Sequence, residues 1–353
     1  MKILIRLFSA CAFIALCAGG FAGYEAWRFL HTAPASPGEE QLFDVEPGAS
    51  FKKIAEQLEK RGLVSDAGKF VLLARYKKWD SRTQSGRFQL HSGWLPEQIL
   101  DQLVNGQPLL HRLMLREGLA WWEVAQILEQ AGFVRADDFR AVIHDPVFLR
   151  HYGIPFHNAE GFLYPDTYLL KKSDKPDIAA ARAIAGRLAD TFWQKSARIW
   201  PDGKRPNAQK LREIVILASI VEKETAVPEE RPRVAGVFAK RLNIKMPLQA
   251  DPTVIYGLGQ NFEGRLRRVH LEDSKNLYNT YKIPGLPPGP ICSPSLSSLK
   301  AALAPEEHNY LYFVAKGDGG HVFSSNLSDH NRAVRQWVQF QHEREQRQKG
   351  KTP

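Results

Sequence analysis

An α+β protein whose N-terminal helix can cross a bilayer is expected from three features of this 353-residue sequence. A charge-free run extends from Leu7 to Tyr24, a strand–turn–helix pattern occurs twice at an offset of seventy positions, and an apolar stretch from Ile214 to Val221 runs into two glutamates. The first predicts a membrane helix, the second a small βα domain, and the third a larger mixed domain around a buried helix. With 44% apolar and 10% aromatic residues the chain can build real cores, which excludes a disordered protein. The net charge of +10 favours a polyanionic neighbour. Charge alone does not choose among phospholipid headgroups, an anionic cell-wall polymer and nucleic acid.

Residues 1–30 read as a cytoplasmic tip and transmembrane anchor. The uncharged run approaches the ~20 residues that span ~30 Å of hydrocarbon. Lys2 and Arg6 precede it and Glu25 follows it, so the N-terminus is expected in the cytoplasm and the body of the protein outside. A cleaved signal peptide ending near Ala22 and Gly23 is the competing reading. Cys11 and Cys17 fall inside the run, leaving Cys292 as the only cysteine beyond it. No disulfide can therefore staple the soluble part. Residues 31–40 (HTAPASPGEE) form a polar, Pro-rich linker.

The repeat begins at Gln41. Pro47-Gly48, Phe51, Ile54-Ala55, Leu58-Glu59 and Gly62-Leu63-Val64 reappear as Glu117-Gly118, Trp121, Val124-Ala125, Leu128-Glu129 and Gly132-Phe133-Val134. Each copy reads as a short strand (Leu42 to Val45; His111 to Leu115), a glycine turn, and a helix capped at its C-terminus by glycine. The first copy opens a small domain at residues 41–110 that resembles the LysM module, which binds chitin-like and peptidoglycan glycans. Mutual packing of the two copies, as a spacer between membrane and the larger domain, is the plainer alternative.

The larger domain is placed at residues 111–340, followed by a basic tail at 341–353. Its stretch from Glu160 to Tyr168 (EGFLYPDTY) suits a sugar-facing surface, because aromatic rings stack on the apolar faces of pyranoses. Phe162, Tyr164 and Tyr168 suit a core equally well. Ile178 to Lys195 has helical spacing and reads as a packing helix.

A second helix is expected from Asn207 to Thr225. Between Ile214 and Val221 only Ser219 is polar, the mark of a helix buried on all sides. A carboxylate at its end is desolvated, which raises its pKa towards the range of a general acid. Glu222 and Glu224 lie about 200° apart on a helix, so one must be chosen. Ala218 and Ser219, one turn before Glu222, leave room for a ligand; Leu217, Ile220 and Val221 crowd Glu224. Glu222 is the expected acid. Glu224 is expected to orient substrate or to pair with Lys223, Arg231 or Arg233.

Six further stretches accompany the glutamates: Arg231 through Leu242, Leu248 to Gly257, Tyr278 to Tyr281, Gly285 to Gly289, Tyr310 to Ala315, and Glu160 to Tyr168. Together with Ala218 to Thr225, and in the order in which they occur along the chain, they resemble the MltG (YceG-like) family of endolytic murein transglycosylases. The resemblance spans roughly Phe43 to Gln336, and Ala250 and Pro290 are small departures from its pattern. It implies a lytic enzyme of the bacterial inner membrane that cuts the β-1,4 bond between N-acetylmuramic acid and N-acetylglucosamine in nascent peptidoglycan. The muramyl C6 hydroxyl closes onto C1, leaving a 1,6-anhydro end and terminating the strand. One carboxyl group suffices for this, whereas a glycosidase needs a second one about 5–9 Å away. Asp251, Glu160 and Asp166 are candidates for that second group, so a muramidase stays open, as does a non-catalytic peptidoglycan-binding scaffold.

Gln249, Asp251, Tyr278, Asn279 and Ser219 join Glu224 as expected substrate contacts. The Pro- and Gly-rich run Ile283 to Pro294 is either the wall of a groove or a connector. His308, His321 and His330 lack the spacing of a metal site, and no cofactor motif is present. Neither a helix-turn-helix nor a phosphate loop suggests nucleic acid. Peptidoglycan strands, the membrane, and peptidoglycan synthases or division proteins are the expected partners.

Overall fold

The computed structural model describes residues 2–46, 48–172, 176–317 and 319–349. The described residues form a mixed α+β protein of many helices and three two-stranded sheets. Two compact units divide the chain: residues 1–111 with 169–175, and residues 112–168 with 176–353.

In the first unit, α1 (Lys2–His31) leads to β1 (Glu40–Val45), α2 (Phe51–Lys60), α3 (Ala67–Tyr76), β2 (Gly86–His91) and α4 (Pro96–Val104). Among the described residues no helix is long and apolar enough to cross a membrane. The last turns of α1 belong to the unit: Phe29 is buried in its core, and Glu25 pairs with Lys69 at 2.9 Å. β1 and β2 pair antiparallel with Phe43 opposite Phe88, and both rings are fully buried. α2 is amphipathic, closing over them with Phe51, Ile54, Ala55 and Leu58. Ser50 caps it by accepting from the Lys53 amide. At its far end the amides of Gly62 and Leu63 return to Glu59 and Leu58, both at 2.9 Å, while Gly62 takes φ +67°. Glycine is placed there because this left-handed end costs any other residue free energy.

The second unit opens with the other copy of the repeat. It holds all but the first residue of β3 (His111–Met114) and the first two residues of β4 (Thr167–Leu170), and α5 (Trp121–Gln130) ends with Gly132 and Phe133 bonding back to Glu129 and Leu128, again at 2.9 Å. The copies thus share hydrogen-bond geometry as well as sequence, and they fall in different units. α6 (Ala136–Ile143), α7 (Pro146–Tyr152) and α8 (Ile178–Ser196) follow. Phe162, Tyr164 and Tyr168 are buried, Phe162 lying 4.5 Å from Phe192 of α8. Their aromatic run serves the core and not a sugar-facing surface, because period and ring type are the same for either use.

α9 (Ala208–Glu224) is the centre of this unit, capped by Asn207 through the Lys210 amide. Every residue from Ile214 to Val221 is buried. α10 (Arg231–Asn243), α11 (Asp251–Leu258) and α13 (Leu296–Leu303) pack around it, and α12 (Arg268–Glu272) lies between the last two in sequence. The hairpin of β5 (Tyr312–Ala315) and β6 (His321–Ser324) packs on α14 (Leu327–Lys349). The backbone of the basic tail continues α14 to Lys349; its side chains from 344 onward, and residues 350–353, lie outside the described residues.

Candidate active site

The two glutamates at the end of α9 have opposite surroundings. Glu222 is fully engaged by protein. Arg231 donates to its Oε1 at 3.0 Å, and the Ser295 amide and hydroxyl donate to Oε2 at 2.8 and 2.5 Å. Only 5% of this carboxylate side chain and 11% of the Arg231 side chain are exposed. Arg231 in turn donates to Ser295 and Ser297. Both carboxylate oxygens of Glu222 have donors within the protein, so Glu222 ties α9 to the start of α10 and to the N-terminus of α13; the Arg231 Nε is the one nitrogen of that guanidinium left buried without a partner among the described residues.

Glu224 instead lines a cavity of about 420 Å³. Arg241 of α10, Gln249 and Asp251 at the start of α11, Tyr281, and residues of β5 and α14 complete its walls. Burial, then the like charge of Asp251, push the Glu224 carboxyl up to about 7, while Arg241 opposes them. Arg241 is held by the carbonyls of Leu311 and Leu248 at 2.8 and 2.5 Å, and burial lowers its own pKa. Tyr281 donates to Asp251 at 2.7 Å. A carboxyl that is half protonated near neutrality, facing a polar cavity, can both give and take a proton.

The segment carrying Gln249 and Asp251 is strained and braced. Gln249 sits at φ +52°, a region unfavourable for a residue with a Cβ. Its amide donates to the Thr280 carbonyl at 3.1 Å, and the Ala250 amide to the Thr280 hydroxyl at 3.0 Å. Strain of this kind persists only where neighbours over-determine it.

The remaining expected contacts are built into the scaffold. Ser219 is fully buried, donating to Ile216 and accepting from the Ile291 amide. Asn279 is also buried; its amide group donates to the carbonyls of Asp273, Leu271 and His270 and its oxygen accepts from the Tyr281 amide. Tyr278 rests on Tyr256 at 4.9 Å and does not line the cavity. Asn279 thus contributes by placing Tyr281. The run from Ile283 to Pro294 packs inward, with Ile291, Cys292 and Ser293 buried beside α9. Polar side chains near a loop are legible in sequence; which of them point outward depends on backbone geometry.

Of the three candidates for a second carboxylate, only Asp251 shares the cavity. Asp166 pairs with Lys195 at 3.0 Å. Glu160 is 1% exposed, accepting from the Trp121 amide and the Tyr256 hydroxyl, both at 3.0 Å. Burial raises its carboxyl to about 8, so it is a neutral buried acid at physiological pH. Sequence reasoning gave no site role to Arg241, Tyr312 or His330. Arg241 and Tyr312 lie in stretches that carry the family resemblance, which was the available signal.

The chain is 29% identical over 316 residues to the endolytic murein transglycosylase of Bacillus subtilis, covering 85% of this chain and 86% of that one. It is 29% identical over 354 residues to the protein of the same name from Streptococcus pneumoniae strain R6, covering 92% of this chain but 63% of the longer relative. A crystal structure of a yceG-like protein from Listeria monocytogenes matches 83% of this chain and 99% of its own, with a TM-score of 0.53 and 28% identity. The profile of the YceG-like family covers residues 43–336, from β1 through the cavity to α14, and the chain belongs to that family.

Proposed function

We propose that this chain is an endolytic murein transglycosylase whose general acid is Glu224. The observation that carries the reading is the raised carboxyl of Glu224 in a polar cavity, set against the saturated ion pair of Glu222. This reading reverses the order of the two glutamates expected from sequence, and it is supported by the packing of Ser219, one turn before Glu222, against the Ile291–Cys292 segment.

In the proposed reaction a glycan strand lies across the cavity with its glycosidic oxygen at Glu224. The protonated carboxyl gives its proton to that oxygen as the C1–O bond breaks. The resulting carboxylate takes the proton of the muramyl C6 hydroxyl, whose oxygen bonds to C1 and closes the 1,6-anhydro ring. The acid is restored and no water is consumed. Burial, with the help of Asp251, keeps the resting pKa high, Arg241 steadies the transient carboxylate, and Tyr281 fixes Asp251. Because Asp251 shares the cavity, a two-carboxylate muramidase is the second reading, distinguished by its products.

The larger unit supplies this chemistry, and the 41–110 segment, with its β1–α2–α3–β2 order, acts as a LysM-like glycan-binding element. Residues 1–30 anchor the protein in the bacterial inner membrane with the body outside. That reading is supported by the charge-free run and by the exposed Phe13, Leu16, Phe21, Tyr24 and Trp27 along α1. An enzyme so placed meets nascent strands where synthases and division proteins work.

The test is to incubate the protein, purified in detergent, with peptidoglycan and to analyse the products by mass spectrometry. 1,6-Anhydromuramyl ends from internal cuts, abolished by Glu224→Gln, support the reading. Reducing ends would make it a hydrolase, and no cleavage at all would favour a scaffold.

A further inference from the structure

Beside its acids, the Glu224 cavity has a second set of lining groups: Tyr312 and Phe313 of β5, and Leu327, His330 and Asn331 in the first turns of α14. The His330 ring stacks on Tyr312, centroids 5.1 Å apart and planes 23° from parallel. Its Nδ1 is buried and has no hydrogen-bond partner among the described residues. Burial, helped by the charge of Arg241, lowers the imidazole pKa, so the ring is neutral near pH 7.

A neutral imidazole has one N–H and one lone pair. A buried N–H without a partner is costlier than a buried lone pair, so the proton belongs on Nε2 and Nδ1 faces the protein unprotonated. With Nδ1 sealed off, an occupant of the cavity can bond this ring only by accepting from Nε2. The adjacent surface is apolar, from Leu327, Phe313 and the Tyr312 ring. Glu224 and Asp251 disfavour a further carboxylate or a phosphate, the Arg241 guanidinium in the same wall being already engaged by the Leu311 and Leu248 carbonyls, and an ammonium would find no acceptor in Nε2–H. A small planar group with one acceptor oxygen and one methyl fits both halves.

We propose that His330, with Tyr312, Phe313 and Leu327, forms the subsite for the 2-acetamido group of the amino sugar bound beside Glu224. Nε2 donates to the acetamido carbonyl and the methyl packs on the apolar wall. His330 is then a specificity-determining residue, and the assignment rests on the glycan reading above.

The full chain carrying Glu224→Gln, which leaves a ligand uncut, is titrated calorimetrically with chitotetraose and with its fully de-N-acetylated counterpart. His330→Phe keeps the stack on Tyr312 but removes the donor; it should weaken chitotetraose about tenfold, the worth of one buried hydrogen bond, and change the de-N-acetylated tetramer less than twofold. His330→Gln, which retains a donor, should stay within about threefold of the parent. Unchanged chitotetraose binding in His330→Phe, an equal loss for both sugars, or no chitotetraose binding by the parent overturns the proposal. Anhydro-end formation by the wild type is scored separately. Cleavage without acetamido selectivity at His330 defeats only this inference; selective binding without cleavage defeats only the enzymatic reading.

Discussion

Exchanging each glutamate of α9 for glutamine should separate catalysis from stability. Glu224→Gln removes a proton donor whose contribution as a general acid is about 10²–10⁴-fold in rate. It also removes a raised carboxyl from the cavity, so the protein should melt at or slightly above the wild-type temperature at pH 8. Glu222→Gln strips the charge facing Arg231, in a pair whose side chains are 5% and 11% exposed. Removing one partner of a buried pair costs roughly 3–5 kcal/mol; the glutamine oxygen can still accept from Ser295, which favours the lower end. At roughly 2–4 °C per kcal/mol for units of 150–250 residues, Tm should fall by about 6–12 °C. The assays are anhydromuramyl product formation at a temperature where both variants are folded, and thermal denaturation followed by circular dichroism. If Glu222→Gln loses activity 100-fold at unchanged Tm while Glu224→Gln keeps a tenth or more, the assignment is refuted.

Three further outcomes are expected. Because Glu224 must be protonated to act and its carboxyl is held at about 7, kcat/KM should fall about tenfold per pH unit above that value; Asp251→Asn removes the charge that helps raise it and should move this limb to lower pH. A pH–rate profile unmoved by Asp251→Asn would contradict that electrostatic role. Glu160, raised from its ordinary 4.5 to about 8, keeps a proton in the folded state that the unfolded chain releases. Stability from this group is therefore full below about pH 4.5 and declines as pH rises to 8, at up to about 1.4 kcal/mol per unit, and Glu160→Gln should flatten the dependence of Tm on pH over that window. Gly161 sits at φ +82°, and a Cβ there would meet Val215 Cγ1 at 2.6 Å and Pro290 Cγ at 2.8 Å. Gly161→Ala should lower stability by roughly 1–3 kcal/mol or more, read as a drop in Tm; no drop would show that the Pro290 segment yields freely.

Local pattern carried much of this protein. The buried helix α9, the glycine ends at Gly62 and Gly132, and the repeat were all legible, because each is written in local sequence pattern. So was the family, since its motifs occur in a fixed order across residues 43–336. Long-range placement was not legible. Arg231 could be named as a partner for a glutamate, but only the fold brings Ser295, 73 positions on, to complete the cage around Glu222. Helical phase says that Glu222 and Glu224 face apart; it does not say which direction is solvent and which is Arg231. Asn279 and Ser219 look like ligand-binding groups in sequence and are spent on backbone carbonyls and amides, whereas His330, more than one hundred residues from Glu224, enters the cavity because α14 folds back over it. A linear chain displays its hydrogen-bonding groups; the packing of α9 against α10, α13 and the Ile291 segment determines which of them remain available to a substrate.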